Sequence, residues 1–248
     1  MTTLDTTIAT TWVQRWDAQQ ELYVPDREER FAVIGDIVTH ALGDSAGTVL
    51  DLGCGPGSLA GRLARRLPTA RIIGLDSDPL LLALARGRYG SVEFVDSDLR
   101  GSDWPALVPE TLDAAVSTTA LHWLDPAPLA AVYKTLGSRL RPGGVFVNGD
   151  QLPIGDPALD ELAVQVRRGA TSRAGVTENE DWESWWAAAT SAPELAGLAG
   201  ERTKRSVEHH GSNRLSAREH GELLLAAGFS SVGTVWQSGD DQVLVAVR

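Results

Sequence analysis

Cysteine is nearly absent: Cys54 stands alone among 248 residues. A single thiol excludes an intramolecular disulfide and any zinc site built on cysteine. The five histidines are His40, His122, His209, His210 and His220. None fall in an HExxH arrangement, and no metal is expected. No stretch approaches the roughly 18 uninterrupted apolar residues of a membrane span. Positive charge is also scarce. Lys and Arg total 22 against 33 Asp and Glu, a net charge of −11, which disfavours nucleic acid as a partner. Residues 1–11 are polar, without a basic start and apolar run, so no signal peptide is expected and the setting reads as cytoplasmic.

What is present is a regular alternation. Short apolar runs predict strands at 48–52, 71–75, 92–95, 112–117 and 145–148. Helical segments separate them at 58–67, from Pro79 onward, and over 128–140. Such alternation predicts an α/β doubly wound, mostly parallel sheet. Ahead of it, 12–23 sets Trp12 and Trp16 on one helical face, Pro25 breaks the segment, and a second helix follows Asp26. At the other end a helix over 216–227 precedes runs at 231–237 and 242–247, which flank Ser238-Gly239-Asp240-Asp241 as an antiparallel hairpin. Five strands and a hairpin make a seven-stranded sheet with one antiparallel C-terminal strand. The block 151–215 is too long for a plain connection. It reads as a helical cap over the carboxyl ends of the strands. The expected division is a helical lid at 1–45, a core at 46–150, the cap at 151–215, and a helix and hairpin at 216–248 completing the core.

The most informative stretch, residues 49–57, reads Val-Leu-Asp-Leu-Gly-Cys-Gly-Pro-Gly. Glycines after a strand allow a tight turn and bring backbone close to a ligand. Asp51 stands ahead of them, its carboxylate either near the ligand or capping the turn. Asp76 ends the next strand, where an acid can accept both hydroxyls of an adenosine ribose. NAD and S-adenosylmethionine (SAM) share that demand. The dinucleotide spacing G-x-G-x-x-G requires glycine where this chain has Ser58, and Gly57 falls one place early. SAM has no pyrophosphate, and its cationic sulfonium and amine suit an acid beside the loop.

With these residues the chain resembles the class I SAM-dependent methyltransferases. Asp51-Leu-Gly-Cys-Gly-Pro-Gly57 is similar to their first motif, Gly74-Leu-Asp76-Ser-Asp78-Pro79 to the second, and Phe94-Val-Asp-Ser-Asp98-Leu99 to the third. Ser117-Thr-Thr-Ala-Leu-His122-Trp123 resembles the fourth, and Leu140-Arg-Pro-Gly-Gly-Val145 the turn before strand five. The resemblance covers about residues 30–150 with the terminal helix and hairpin. It implies a Rossmann-like core, SAM as cofactor and S-adenosylhomocysteine as product. Gly53, Cys54, Gly55 and Gly57 then lie along the amino acid and sulfonium end. Asp76, beside Ser77, takes the ribose. Asp98 and Leu99 hold the adenine, Asp96 competing for that task, and Thr118 and Thr119 line the methyl side. Tyr23 and Arg30, on the helices before the sheet, fold over the cofactor, with Arg30 ahead of Arg27 as partner of its carboxylate. The Leu-His-Trp form resembles small-molecule enzymes of the trans-aconitate type. The Asn-Pro-Pro-Tyr form of amino-methylating nucleic-acid and glutamine enzymes is missing.

Each candidate has a plainer reading. His122, His209 and His210 are base candidates for an acceptor that must lose a proton, or packed and solvated histidines. Trp16, Trp123, Trp182 and Trp186 are candidate substrate walls, or core. Cys54 reads as a small packing residue rather than a nucleophile. Cap arginines 167, 168, 173 and 214 are candidates to draw an anion. The expected function is methyl transfer to an O, N or C nucleophile of a small molecule in secondary or intermediary metabolism, by a monomer or homodimer. Two alternatives stand beside it: the same pocket running carboxy-SAM or other non-methylating chemistry, and a silent SAM-binding subunit.

Overall fold

A computed structural model describes residues 4–205 and 211–248 of the chain. The apolar runs of the middle segment become β1 (Thr48–Leu52), β2 (Arg71–Asp76), β3 (Glu93–Asp96), β4 (Leu112–Thr118) and β5 (Leu140–Gln151), all parallel. The Val, Ile, Leu and Ala side chains of β1, β2, β4 and β5 are buried on both faces, as central parallel strands require, while β3 at the edge is only half-buried. β6 (Ser231–Ser238) and β7 (Asp241–Val247) form the hairpin, and β7 inserts antiparallel between β5 and β6. The sheet order is β3-β2-β1-β4-β5-β7-β6, the doubly wound seven-stranded sheet expected. Chain direction reverses its spread between β1 and β4, which opens a crevice at the carboxyl ends of those strands.

Two helical layers cover the sheet. α2 (Arg27–Leu42) and α3 (Ser58–Arg66) bury Phe31, Ile34, Val38, Leu59 and Leu63 against one face. α5 (Pro126–Arg139) and α9 (Ala217–Ala226) bury Leu129, Tyr133, Leu136 and Leu224 against the other. β5 is longer than expected, because Pro142-Gly143-Gly144 is absorbed as an irregularity in the strand. α4 (Pro79–Arg88) starts where Asp78 caps Leu80 N–H at 2.9 Å and Pro79 occupies the first turn. α1 (Thr6–Glu21) begins earlier than expected because Asp5 accepts from Thr7 N–H at 2.8 Å.

The cap block holds α6 (Pro157–Ala174), α7 (Trp182–Ser191) and α8 (Ala196–Lys204). It shares a core with the N-terminal helix: Trp185 sits 5.7 Å from Trp12 and 4.9 Å from Trp16, ring edge to ring face. Such contacts contribute about 0.5–1.5 kcal/mol each beyond burial. They tie α1 and α7 together over α4. Among the described residues no helix is long and apolar enough to cross a membrane.

Candidate functional site

The loop from β1 to α3 must turn back within five residues, and Gly53, Gly55 and Gly57 all take positive φ to do so. At Gly53 a Cβ would come within 2.4 Å of Ala120 Cβ, so any side chain would drive the loop off the end of β4. Thr119, next to Ala120, is itself left-handed at φ 48°, a strained position of the kind found at ligand sites. Asp76 secures the loop from β2. Its two oxygens accept from Gly55 N–H and Asp78 N–H, each at 2.8 Å. Burial lifts its pKa to about 6 despite those N–H donors.

Above the loop is a cavity of about 690 Å³, ample for a small-molecule ligand. Gly53, Cys54, Gly55, Asp76, Ser77, Thr118 and Thr119 line it, as do Trp16, Tyr23, His122, Trp123 and Trp182. A smaller recess of about 80 Å³ continues past Gly53, Asp76 and Ser77 to Asp98 and Leu99. Asp96 is taken by Arg205 at 2.6 Å, whereas Asp98 lines the recess together with Asp76. Tyr23 also ties the turn after α1 to the start of α7, its hydroxyl accepting from Trp182 N–H at 3.1 Å. Cys54 is buried against Gly74, and burial pushes its thiol well above the usual range, as fits a packing residue rather than a nucleophile.

Several expectations are corrected. Arg30 does not line the cavity: it is fully buried and donates to Asp241 at 2.7 Å and to Thr118 Oγ1 at 2.8 Å. Arg27, one turn earlier, lines it instead and pairs with Asp17 at 2.7 Å. The proline break at 25 sets which turn of α2 faces the loop, and spacing alone does not fix that rotation. Asp51 lies behind the loop wall, fully buried on β1 with no hydrogen-bond partner for either oxygen. Burial lifts it to about 7, against the opposing pull of the nearby Ala60 N–H. Gly57 points away from the cavity, where a Cβ would meet Phe94 at 2.9 Å and Tyr89 at 3.0 Å. Trp186 is core, stacked under the Arg202 guanidinium at 4.0 Å. Arg167 is spent on Asp240 at 2.7 Å, and no cap arginine lines the cavity among the described residues. His209 and His210 lie outside the described residues.

Sequence reading missed the partner of His122. Asp150, fully buried at the end of β5, meets His122 Nδ1 through Oδ1 at 2.8 Å and Oδ2 at 3.0 Å. A carboxylate that only accepts fixes the proton on Nδ1 and leaves the Nε2 lone pair for a ligand. Asn213 was missed too: its side-chain amide donates to the carbonyls of Leu121 and Leu124, holding the 3₁₀ turn that carries His122. Neither residue belongs to a local pattern; each meets the turn only across the fold.

No ligand accompanies the chain, and the residues themselves test whether SAM fits. A cavity-facing carboxylate at Asp76 and an arginine, Arg27, at the glycine-loop end fit a nucleoside that carries an amino acid, whereas Asp51 lies behind the wall and makes no part of that fit. Sheet order, glycine loop and strand-end acid together define a class I methyltransferase fold. Residues 49–144 match the family model described as a methyltransferase domain, and the fold around them is that of the class I methyltransferases. It is 37% identical over 131 residues to a trans-aconitate 2-methyltransferase of Azoarcus sp. (strain BH72), covering 53% of this chain and 49% of that protein. It is 34% identical over 171 residues to the protein of that name from Yersinia pseudotuberculosis serotype O:1b (strain IP 31758), covering 69% and 59%. The matches thus span about half the length of these curated relatives. The SAM-bound amino pentose methyltransferase CalS10 of Micromonospora echinaspora shares the fold, with TM-score 0.55, 20% identity, and coverage of 89% of this chain and 90% of that one.

Proposed function

We propose that this chain transfers the methyl group of SAM to a small molecule. The observation that carries the reading is Asp76, whose carboxylate closes the glycine loop and faces the cavity at once. Asp76 and Ser77 take the ribose, and Asp98 and Leu99 take the adenine. Gly53, Cys54 and Gly55 lie along the amino acid end, with Arg27 for its carboxylate. Thr118 and Thr119 present backbone to the methyl side. Trp16, Trp123 and Trp182 wall the acceptor. In this reading 1–45 is the lid and 151–215 the cap of a core formed by 46–150 and 216–248. The enzyme acts in the cytoplasm on free metabolites, as a monomer or homodimer.

When bound, SAM supplies a methyl group already activated by its positively charged sulfur. The chain then has three tasks: aligning the acceptor atom in line, excluding water and receiving any proton released. Trp16 and Trp182, 5.2 Å apart from helices far separated in sequence, close one wall and exclude water. Trans-aconitate, for which the relatives are named, is a tricarboxylate, so a site for it needs cations. Titration of the purified protein with S-adenosylhomocysteine tests the cofactor half. Binding in the micromolar range is expected, and no heat or thermal shift at millimolar ligand refutes the proposal. Mass analysis of the nucleoside product separates methyl transfer from other chemistry in the same pocket.

A further inference from the structure

The cavity is lined by aromatic rings and carboxylates, and it has one arginine or lysine among the described residues, Arg27. Arg27 gives Nη1 to Asp17 at 2.7 Å, and the same oxygen accepts from Ser58 Oγ at 2.6 Å. Ser58 opens α3, so Arg27 belongs to the glycine-loop end and not to the acceptor. Asp76, Asp78, Asp181 and Glu183 line the cavity as well. Arg202 neutralises Asp78 at 2.6 Å, whereas Asp76 and Asp181 receive backbone N–H groups rather than cations. A polycarboxylate entering this space meets like charge with no guanidinium to receive it. A flat uncharged or cationic molecule meets the aromatic rings of Trp16, Tyr23, Trp123 and Trp182.

The second observation is the His122–Asp150 pair. A carboxylate acceptor loses no proton on methylation and needs no base; a hydroxyl acceptor does. This chain spends a fully buried aspartate on orienting one cavity histidine, so that the neutral ring with Nδ1 donating to Asp150 carries its lone pair on Nε2. Resting on the methyltransferase reading, we infer that the acceptor is an aromatic hydroxyl compound without net negative charge, O-methylated with His122 as the base and Asp150 as the residue that positions it. Nε2 takes the hydroxyl proton as the oxygen lone pair forms the new bond to the methyl carbon. The methyl–sulfur bond breaks with its electron pair left on sulfur, giving S-adenosylhomocysteine and the methyl ether. The imidazolium then returns the proton to water.

The groups that set this base come from three elements. Asp150 on β5 faces Nδ1. Arg30 on α2 opposes protonation, and His220 on α9 shares the field of Asp150. Burial draws His122 down, but the charge and hydrogen bond of Asp150 outweigh it, and the net shift is upward from 6.5. The rate is therefore expected to climb with pH and to level off above the ordinary imidazole range.

The test uses the purified full chain with SAM, following release of S-adenosylhomocysteine with catechol, tyramine and trans-aconitate as acceptors. Turnover of both phenols is expected, with trans-aconitate slower by at least about a hundredfold. His122→Gln should lower kcat by about 10²-fold or more while binding S-adenosylhomocysteine within about threefold of the parent. Asp150→Asn keeps an acceptor for Nδ1–H but removes the charge. It should move the acid limb of kcat/KM to lower pH, which a purely structural residue would not do. Binding of S-adenosylhomocysteine confirms that each variant is folded, and His122→Asn replaces the Gln variant if that binding is lost. Preference for trans-aconitate, no turnover of either phenol, a His122→Gln rate within tenfold of the parent, or an unmoved acid limb each overturns the inference while leaving SAM binding intact. Failure of the parent protein to bind S-adenosylhomocysteine sinks the methyltransferase reading itself.

Discussion

Asp76→Ala isolates the interaction on which the proposed cofactor binding depends most. The native carboxylate accepts from Gly55 N–H and Asp78 N–H and keeps a lone pair on each oxygen for the ribose. Hydrogen bonds to a charged acceptor contribute about 1.5–3 kcal/mol each, so losing two removes about 3–4 kcal/mol after partial relief by water. At 1.4 kcal/mol per tenfold, the Kd for S-adenosylhomocysteine should rise by about 10²–10³-fold. Asp76→Asn keeps one acceptor and should weaken binding by only about tenfold. Isothermal titration calorimetry measures both, and circular dichroism checks that each variant is folded.

The same carboxylate gives the binding a pH dependence. Burial lifts Asp76 to about 6 in the free protein, and in the proposed site the ribose hydroxyls select its charged form. Affinity for S-adenosylhomocysteine should be flat well above pH 6 and fall toward tenfold per unit below it. The part of that limb due to Asp76 should vanish in the Asn variant. An Asp76→Ala protein that binds within threefold of the parent would refute the assignment, as would an Asn variant with the parent's full acid limb.

Asp51→Asn should stabilise the ligand-free chain at pH 8 and not at pH 4. Its folded pKa of about 7 lies above the ordinary 3.8, so stability held by the neutral acid below pH 4 is lost as pH rises through 7. The difference between the two pH values, on the order of 2–4 kcal/mol by linkage, is read from urea melts. Arg30→Met should cost about 3–5 kcal/mol in the same melts, because it strands Asp241 without its buried partner. Arg27→Ala should instead act on cofactor affinity, by about tenfold in calorimetry. Gly57→Ala forces a side chain into φ 83° and against Phe94. A loss of about 1–2 kcal/mol is expected from the left-handed backbone alone.

How much of this was legible follows from how far each feature reaches along the chain. Strand alternation, the glycine loop, Asp76 and the terminal hairpin are local patterns, a few residues long, and the fold realises them in register. Asp51 and Asp76 stand on the neighbouring strands β1 and β2, but Asp51 pairs with Gly74, two residues before Asp76. Spacing alone does not reveal that one carboxylate turns into the cavity and the other behind the loop. The rotation of α2 is the same problem: Arg27 and Arg30 differ by one turn, and the packing of Phe31 and Ile34 on the sheet decides which reaches the loop.

The acceptor side is less legible for a physical reason. Its walls come from α1, the end of β4, the end of β5 and the first turn of α7, segments that meet only once the sheet has closed. The tryptophans show the cost of this. Trp182, Trp185 and Trp186 share one helical stretch, yet Trp185 is pinned between Trp12 and Trp16 while Trp182 reaches the cavity. His122 lies in a motif visible from the sequence, but its chemistry depends on Asp150, which stands 28 positions later. The pairing of β4 with β5 sets Thr118 opposite Gly149, one residue before Asp150, and so brings acid and imidazole together. A single-residue slip of that register would turn Asp150 to the other face of the sheet and strand it without its partner. In the proposed reading the local motifs therefore place the cofactor, whereas the β4–β5 register decides whether the pocket can remove a proton from the acceptor.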